Sequence, residues 1–343
     1  MFIGEKEYTF ALVNTAILYL RDPFDKTMGR ALECMFSYAP FKAGYKKSLA
    51  EKVQFVFTTI FYVAIIPLSL TLFGVALSVD GIRQMCNKHR FTYLEGSALE
   101  KKGSLKTILT WNVCALFGGL CIPFGGMAPF AKRASLIARK IIDTNADLVA
   151  LQEVSPPAAD MLYRKLRKEY KHFYVRINPD PLLTLDSGLF IASKVKLNDP
   201  TVISLPLAGR MKRAFFSFHV NEYNFLTTHL EPGTSEADVS MRQRQVAALF
   251  THVVPSEKTV IMGDLNIERG REFEKSGLAS RFVDRYEGEP TATDHFIGKV
   301  DEHQSIDYIL TTPDLKLDVS MKEAFNLDGR ALSDHHMLIA NLP

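Results

Sequence analysis

The chain has 343 residues, of which 47% are hydrophobic and 23% charged, a balance that excludes intrinsic disorder and leaves room for two domains or for one domain with an appendage. Its net charge of +3 is unevenly spread: residues 1–106 hold 14 Lys and Arg against 9 Asp and Glu, whereas residues 107–343 hold 27 against 29. The four cysteines, Cys34, Cys86, Cys114 and Cys121, show no CxxC spacing, which argues against a disulfide framework or a structural zinc site and for buried free thiols.

The basic third also holds the most apolar stretches. Phe10 to Leu20 suits either an interfacial amphipathic element or an ordinary packed helix. Val53 to Val79 is longer: 27 residues without a charge, against the about 20 apolar residues that a helix needs to cross a bilayer core. Lys46, Lys47 and Lys52 precede it and Arg83, Lys88 and Arg90 follow it, so flanking charge selects neither orientation. It lies too deep in the chain for a cleavable signal peptide. Pro67 leaves open both a kinked span and a re-entrant hairpin. Residues 1–104 therefore read as a membrane-associating region, with residues 80–104 as a polar linker.

From residue 105 to 343 the pattern changes to short apolar runs separated by amphipathic segments. Leu105–Cys114, Asp147–Val154, Asp186–Ser193, Ala214–Val220, Tyr223–Leu230, Thr259–Gly263, Ser305–Thr311 and His335–Asn341 read as strands. Pro129–Asn145, Pro156–Glu169 and Glu236–Val254 read as helices, the second with Ser155 as N-cap and Pro156 in its first turn. Many strands with a few helices between them suggest two packed sheets flanked by helices.

Where these apolar runs stop, polar residues recur. Asn112 follows Trp111, Glu153 follows Gln152, and Ser187-Gly188 precedes Leu189. His229 ends Thr227-Thr228-His229, Asp264 and Asn266 flank Leu265, Asp307 precedes Tyr308, and Asp334-His335 follows Ser333. Strand ends are where a rigid scaffold holds such groups around one cleft. Carboxylates supply hard oxygen ligands for Mg²⁺, histidine and asparagine donate to phosphate oxygens, and a carboxylate fixes a histidine tautomer.

Taken in order, the strings TWNV, LQEV, DSGLFIAS, TTHLE, GDLN, SIDYIL and SDHH resemble the endonuclease/exonuclease/phosphatase superfamily across residues 107–343. The resemblance implies an α/β fold, the DNase I-like four-layer α/β sandwich, with its metal and phosphate site at one edge of two sheets. It also implies roles. Glu153 corresponds to the principal ligand of Mg²⁺, with Mn²⁺ as a substitute, and Asn112 to the residue that positions that metal site. Asp264 and Asn266 correspond to the pair that activates water and contacts the scissile phosphate. His229 corresponds to a phosphate-binding histidine and His335 to the group that stabilises the pentacovalent state or protonates the leaving oxygen. Asp307 orients that histidine, and Asp334 is a further acidic site residue. Ser187 and Lys212 are the implied substrate contacts.

Within the superfamily, Asp186 to Lys194, Asn112 to Leu116 and Ile306 to Leu310 are similar to the membrane-bound neutral sphingomyelinases, as is the order of hydrophobic segment followed by catalytic domain. Two positions depart from that branch. Arg213 stands in Lys212-Arg213-Ala214 where the branch carries a glycine, and no proline follows His335-His336. The implied reaction is hydrolysis of a phospholipid headgroup, sphingomyelin first among the candidates, with a phosphoinositide phosphatase, a nuclease or a non-catalytic membrane adaptor as alternatives. The near-neutral charge of residues 107–343 disfavours nucleic acid. Val113–Phe130, 18 residues without a charge and rich in Gly and Pro, reads as a loop beside the site that either dips into a bilayer or folds over the core.

Overall fold

A computed structural model describes residues 49–86, 90–115, 127–178, 187–206, 212–254, 256–293, 303–325 and 331–343. The expected elements at Phe10–Leu20, Cys34 and Cys121, and the middle of the Val113–Phe130 loop, lie outside these residues. The first element is helix α1 (Leu49–Cys86), 38 residues that run without a break through Pro67. A re-entrant hairpin over Val53–Val79 is thereby replaced by one helix, about 57 Å long at 1.5 Å per residue. The Pro67 ring leaves the carbonyl one turn before it without its N–H donor, and one turn after it Thr71 donates its hydroxyl back to the Pro67 carbonyl (3.0 Å). Only part of α1 has its side chains described. Among the described residues no helix is long and apolar enough to cross a membrane, so the spanning segment expected there is not carried over.

Residues 80–104 are not the plain linker that their polarity suggests. α1 continues to Cys86, and β1 (Thr92–Glu95) pairs antiparallel with β4 (His172–Val175). Only Tyr93 and Leu94 give the strand apolar character, too short a run to register as a pattern. The sandwich therefore begins near residue 90.

The other elements follow in chain order. They are β2 (Thr107–Asn112), α2 (Phe130–Asp143), β3 (Leu148–Gln152), α3 (Pro156–Leu166), β5 (Phe190–Ser193), β6 (Asn198–Ser204), β7 (Ala214–Val220), β8 (Tyr223–His229), α4 (Glu236–Phe250) and β9 (Lys258–Asp264). The short strands β10 (Val283–Asp284), β11 (Ala292–Thr293) and β12 (His303–Gln304) precede β13 (Asp307–Thr311), β14 (Asp318–Lys322) and β15 (Met337–Asn341). One sheet has the order β1-β4-β5-β3-β2-β15-β14 and the other β10-β13-β9-β8-β7-β6. Both are mixed: β2 and β3 run parallel, as do β8 and β9, and the other pairs run antiparallel.

The apolar side chains form three buried groups. The first, around Trp111, Phe130, Ile137 and Leu162, joins the first sheet to α2 and α3. The second, around Ile108, Phe216, Phe225 and Met262, fills the space between the sheets. The third, around Phe215, Val246, Leu249 and Tyr308, joins the second sheet to α4. Helices, sheet, sheet and helix are thus stacked in four layers, each strand sending alternate residues to opposite faces. α4 is held at its start by a capping box in which Ser235 and Asp238 satisfy each other's backbone N–H.

Candidate active site

The same alternation places the chemistry. In β2, Ile108 and Thr110 face the inter-sheet core, so Asn112 does too. In β9, Val260 and Met262 lead to Asp264, and in β13 Ile309 is preceded by Asp307. β8 ends in His229, directly opposite Asp264 in the parallel pair, and Asp307 lies opposite Asp264 on the other side. Three strand ends of the second sheet therefore bring three titratable groups together without any long-range loop.

Glu153 arrives differently. It follows β3 with a φ of +57°, a left-handed conformation uncommon in non-glycine residues and concentrated at functional sites. Gly188, at φ +71°, packs against its backbone; a Cβ there would sit 3.4 Å from the Glu153 Cα. Gly263 is stricter still, since a Cβ would come within 2.1 Å of the Thr228 carbonyl. That glycine is what lets β8 and β9 run close enough to align His229 with Asp264.

Asn112 is the hub. Its amide Nδ2 donates to Glu153 Oε1 (3.1 Å) and to Asp264 Oδ2 (3.0 Å), while its Oδ1 accepts the Cys114 amide (3.0 Å). His229 Nε2 lies 3.4 Å from Asp264 Oδ2 and 3.9 Å from Glu153 Oε1. His335 Nδ1 meets Asp307 Oδ2 at 2.8 Å, and its Nε2 stands 3.8 Å from Asp264. The Asn266 amide donates to Asp264 Oδ1 (2.9 Å). A supporting layer holds these groups: Trp111 Nε1 donates to the His335 carbonyl (2.8 Å), Ser333 Oγ to the Asn112 carbonyl (2.6 Å), and Thr291 Oγ1 accepts the Asp307 amide (3.0 Å).

The electrostatics follow from burial and crowding. Burial pushes the Asp264 carboxyl up to about 7, against the opposing pull of His335. Burial, and then Asp334, also raise Glu153. Burial and the positive charges of Arg213 and His335 hold His229 well below its ordinary value, in the neutral form. Burial alone would also lower His335, but Asp307 and Asp264 outweigh it and raise its pKa well above the ordinary value. A neutral histidine and a cationic one thus face each other across one carboxylate.

The donor chemistry suits a divalent cation. Asp264, Asp307 and His335 each place a ligand atom within 4.8 Å of the others, and the Asp307 Oδ1 is buried without a partner. Yet His335 is already paired with Asp307, and hard cations such as Mg²⁺ take oxygen ligands. The carboxylate oxygens of Glu153 and Asp264 therefore fit such an ion better than the imidazole does, and Asn112, whose Nδ2 donates to both, holds them in place.

A family model for the endonuclease/exonuclease/phosphatase family matches residues 109–335. The chain belongs to that family. Curated proteins gave no sequence match. Solved structures similar to this family member include sphingomyelinase C from Streptomyces griseocarneus, at 19% identity and a TM-score of 0.52 over 70% of this chain and 100% of that one. Truncated TDP2 from Caenorhabditis elegans is similar at 17% identity and 0.51 over 69% and 96%. A Staphylococcus aureus beta-toxin mutant with bound magnesium ions is similar at 18% identity and 0.51 over 70% and 100%. At these identities the likeness establishes the fold.

Of the expected site residues, Asn112, Glu153, His229, Asp264, Asn266, Asp307 and His335 converge in this family member. Asp334 sits at the margin, its Oδ1 3.3 Å from the Ser333 hydroxyl oxygen, and acts on Glu153 through its charge. Ser187 does not offer its hydroxyl to the site: it is buried and donates to the Ile177 carbonyl (2.7 Å). Lys212 is half-buried just before β7. The sequence reading missed Arg213 and Glu231 as buried charges beside the site, and Thr291 as the anchor of Asp307. Nothing but the spatial neighbourhood marks Thr291. Arg213 could have been found, since it fills a position where the resembling branch has glycine.

Proposed function

We propose that this chain is a Mg²⁺-dependent phosphodiesterase that cleaves the headgroup ester of a phospholipid at a membrane. What supports the chemical half of this reading is one arrangement: Asp264 stands between neutral His229 and cationic His335, with Asp307 at 2.8 Å behind the latter. Groups whose environments push their proton affinities apart serve as acid and base. Asp264 accepts the proton of the attacking water, and His335 donates to the leaving oxygen while Asp307 fixes its tautomer. Asn266 and His229 bind and orient the phosphate. When held by Glu153 with Asn112 beside it, Mg²⁺ supplies Lewis-acid stabilisation of the phosphorus oxygens.

The membrane half rests on α1, which carries Phe57, Ile60, Phe61 and Leu68 at 60–70% exposure in one continuous helix. Such a contiguous apolar surface marks an interaction site. The test is a panel of choline-headgroup, inositol-headgroup and single-stranded DNA substrates, each with Mg²⁺ or with EDTA. Mg²⁺-dependent release from vesicle lipid supports the reading. Turnover of DNA alone would replace the substrate class, and absence of turnover throughout would leave a membrane adaptor with the fold intact.

A further inference from the structure

Arg213 lies immediately before β7, at the strand end where β8 carries His229. Extending the β7–β8 register from Phe215↔Thr228 puts Ala214 opposite His229. The side chain is only 4% exposed, and its Nε and Nη1 are buried without a hydrogen-bond partner. Its nearest carboxylate, Glu231, stands 3.9 Å away, beyond hydrogen-bond reach, and the Glu231 Oε2 is itself without a partner. The backbone, by contrast, is fixed, since the Arg213 carbonyl accepts from Asn178 Nδ2 (3.2 Å) and from the Leu205 amide (3.0 Å).

A buried guanidinium with orphaned N–H groups is costly unless something receives them. The contrast with Arg242 is instructive. That equally buried arginine makes a bidentate pair with Glu272 at 2.9 and 2.7 Å and two further bonds to the Glu231 and Gly233 carbonyls. Arg242 is a finished structural ion pair, and Arg213 is not. The charge of Arg213 also acts directly on the site, on Glu153 and His229.

We propose that Arg213 is a substrate-recognition residue: its free N–H groups receive a phosphate oxygen, and its fixed positive charge selects headgroups that carry negative charge beyond the scissile diester over the zwitterionic choline headgroup. Guanidinium suits this task because its planar fork matches phosphate bidentately and cannot be deprotonated. The inference rests on the phosphoesterase reading above and narrows its substrate class to anionic headgroups, whether in a vesicle or as the free headgroup phosphodiester.

The experiment compares the full chain with Arg213→Gln and Glu231→Gln. Three substrates are used with Mg²⁺: phosphoinositide vesicles, sphingomyelin vesicles and soluble bis-(p-nitrophenyl) phosphate. Turnover of the soluble diester by the unmodified chain establishes the phosphoesterase reading independently. Arg213→Gln is then expected to raise KM for the anionic headgroup by roughly tenfold or more, with kcat nearly unchanged, the size of effect that loss of a charge-assisted hydrogen bond gives. The preference over sphingomyelin should collapse with it. Glu231→Gln removes the competing carboxylate and is expected to lower KM for the anionic headgroup.

Equal loss on all three substrates in Arg213→Gln, with Glu231→Gln giving the same loss and the same drop in thermal stability, would make the two residues a structural pair and overturn the proposal. So would an unchanged substrate ratio. If the unmodified chain turns over none of the substrates, calorimetric titration with inorganic phosphate decides. Binding that weakens in Arg213→Gln supports the recognition role, and equal or absent binding overturns it.

Discussion

Phe216, Phe218 and Phe225 are fully buried between the two sheets, whereas Phe57 and Phe61 of α1 stand 70% and 60% exposed. The residue type is the same and the environment opposite. Inside the sandwich each such ring contributes about 1.5–3 kcal/mol by leaving water. On α1 that stabilisation is unrealised among the described residues, and the membrane role proposed above would draw on it. The candidate site groups obey the sandwich: they sit at or within two residues of the ends of buried strands, and their positions are inherited from its packing.

If the two regions are independent in this way, a change in the site should destroy turnover and leave membrane partition alone. Glu153→Gln is the sharpest such change, because an amide binds a hard cation much more weakly than a carboxylate does. Turnover should fall by roughly a thousandfold, on the order of several kcal/mol of transition-state stabilisation. Circular dichroism and vesicle sedimentation should be unchanged. Full activity in the variant, or in EDTA, would sink the metal-assisted mechanism.

Asp307→Asn tests the same region through pH. The Asp307 carboxylate, after burial has acted in the opposite direction, is the largest influence raising His335. Its removal should move the alkaline limb of the rate profile to lower pH and cost about a hundredfold at pH 8, within the range for a lost general acid. The sign for stability is equally definite. A histidine raised on folding stabilises the protein fully below its unfolded value of about 6.5 and loses that contribution as pH rises through the folded value. The variant should therefore lose stability mainly at acid and neutral pH, which urea melts at several pH values would read.

The complementary change leaves the chemistry intact. Phe57→Ser with Phe61→Ser should weaken sedimentation with vesicles by roughly a hundredfold, given the transfer free energy of two such rings. It should hardly alter turnover of a soluble phosphodiester. Binding of the unmodified chain should survive 1 M salt, where charge attraction is screened within about 3 Å. Release by salt alone would mean that basic residues, and not the apolar surface, hold the chain to the bilayer.

Legibility from the sequence followed the same division. β7 is readable to the residue, and β2, β3, β8, β9 and β13 to within a few positions, because strands covered on both faces appear as short, nearly continuous apolar runs bounded by polar residues. The convergence of the candidate site residues is legible because each lies at or near one end of such a run. β1, β4 and β14 were not: four or five residues with mixed polarity carry too little pattern, and β1 is defined only by its pairing with β4. A motif names a residue but not the direction of its side chain, and the Ser187 hydroxyl here bonds the Ile177 carbonyl. In the sequence Arg213 marks only the loss of a glycine; its burial and the unpartnered Nε and Nη1 of its guanidinium exist only in the fold.

The boundary between the two regions is where the smallest effect is expected, and Asp147 reads it out. This carboxylate lies just before β3, and its partners come from the segment that joins β1 to β2 and from the first residue of β2. Lys101 Nζ donates at 2.6 Å, and the amides of Lys106 and Thr107 donate at 2.9 and 3.3 Å. Burial pushes the Asp147 carboxyl upward, but these donors outweigh it and hold it below the usual range. A carboxylate depressed on folding stabilises the protein above its unfolded value of about 3.9, and that contribution is lost as pH falls through the folded value. Asp147→Asn, in the chain from residue 90, should therefore lower the urea midpoint at pH 7 and converge with the unmodified chain below about pH 3. A chain begun at residue 104 lacks both Lys101 and β1, so the unpaired edge of β4 should lower its midpoint at every pH. If starting at 104 costs nothing, residues 90–103 are a tether after all, and the sandwich begins where composition alone would place it.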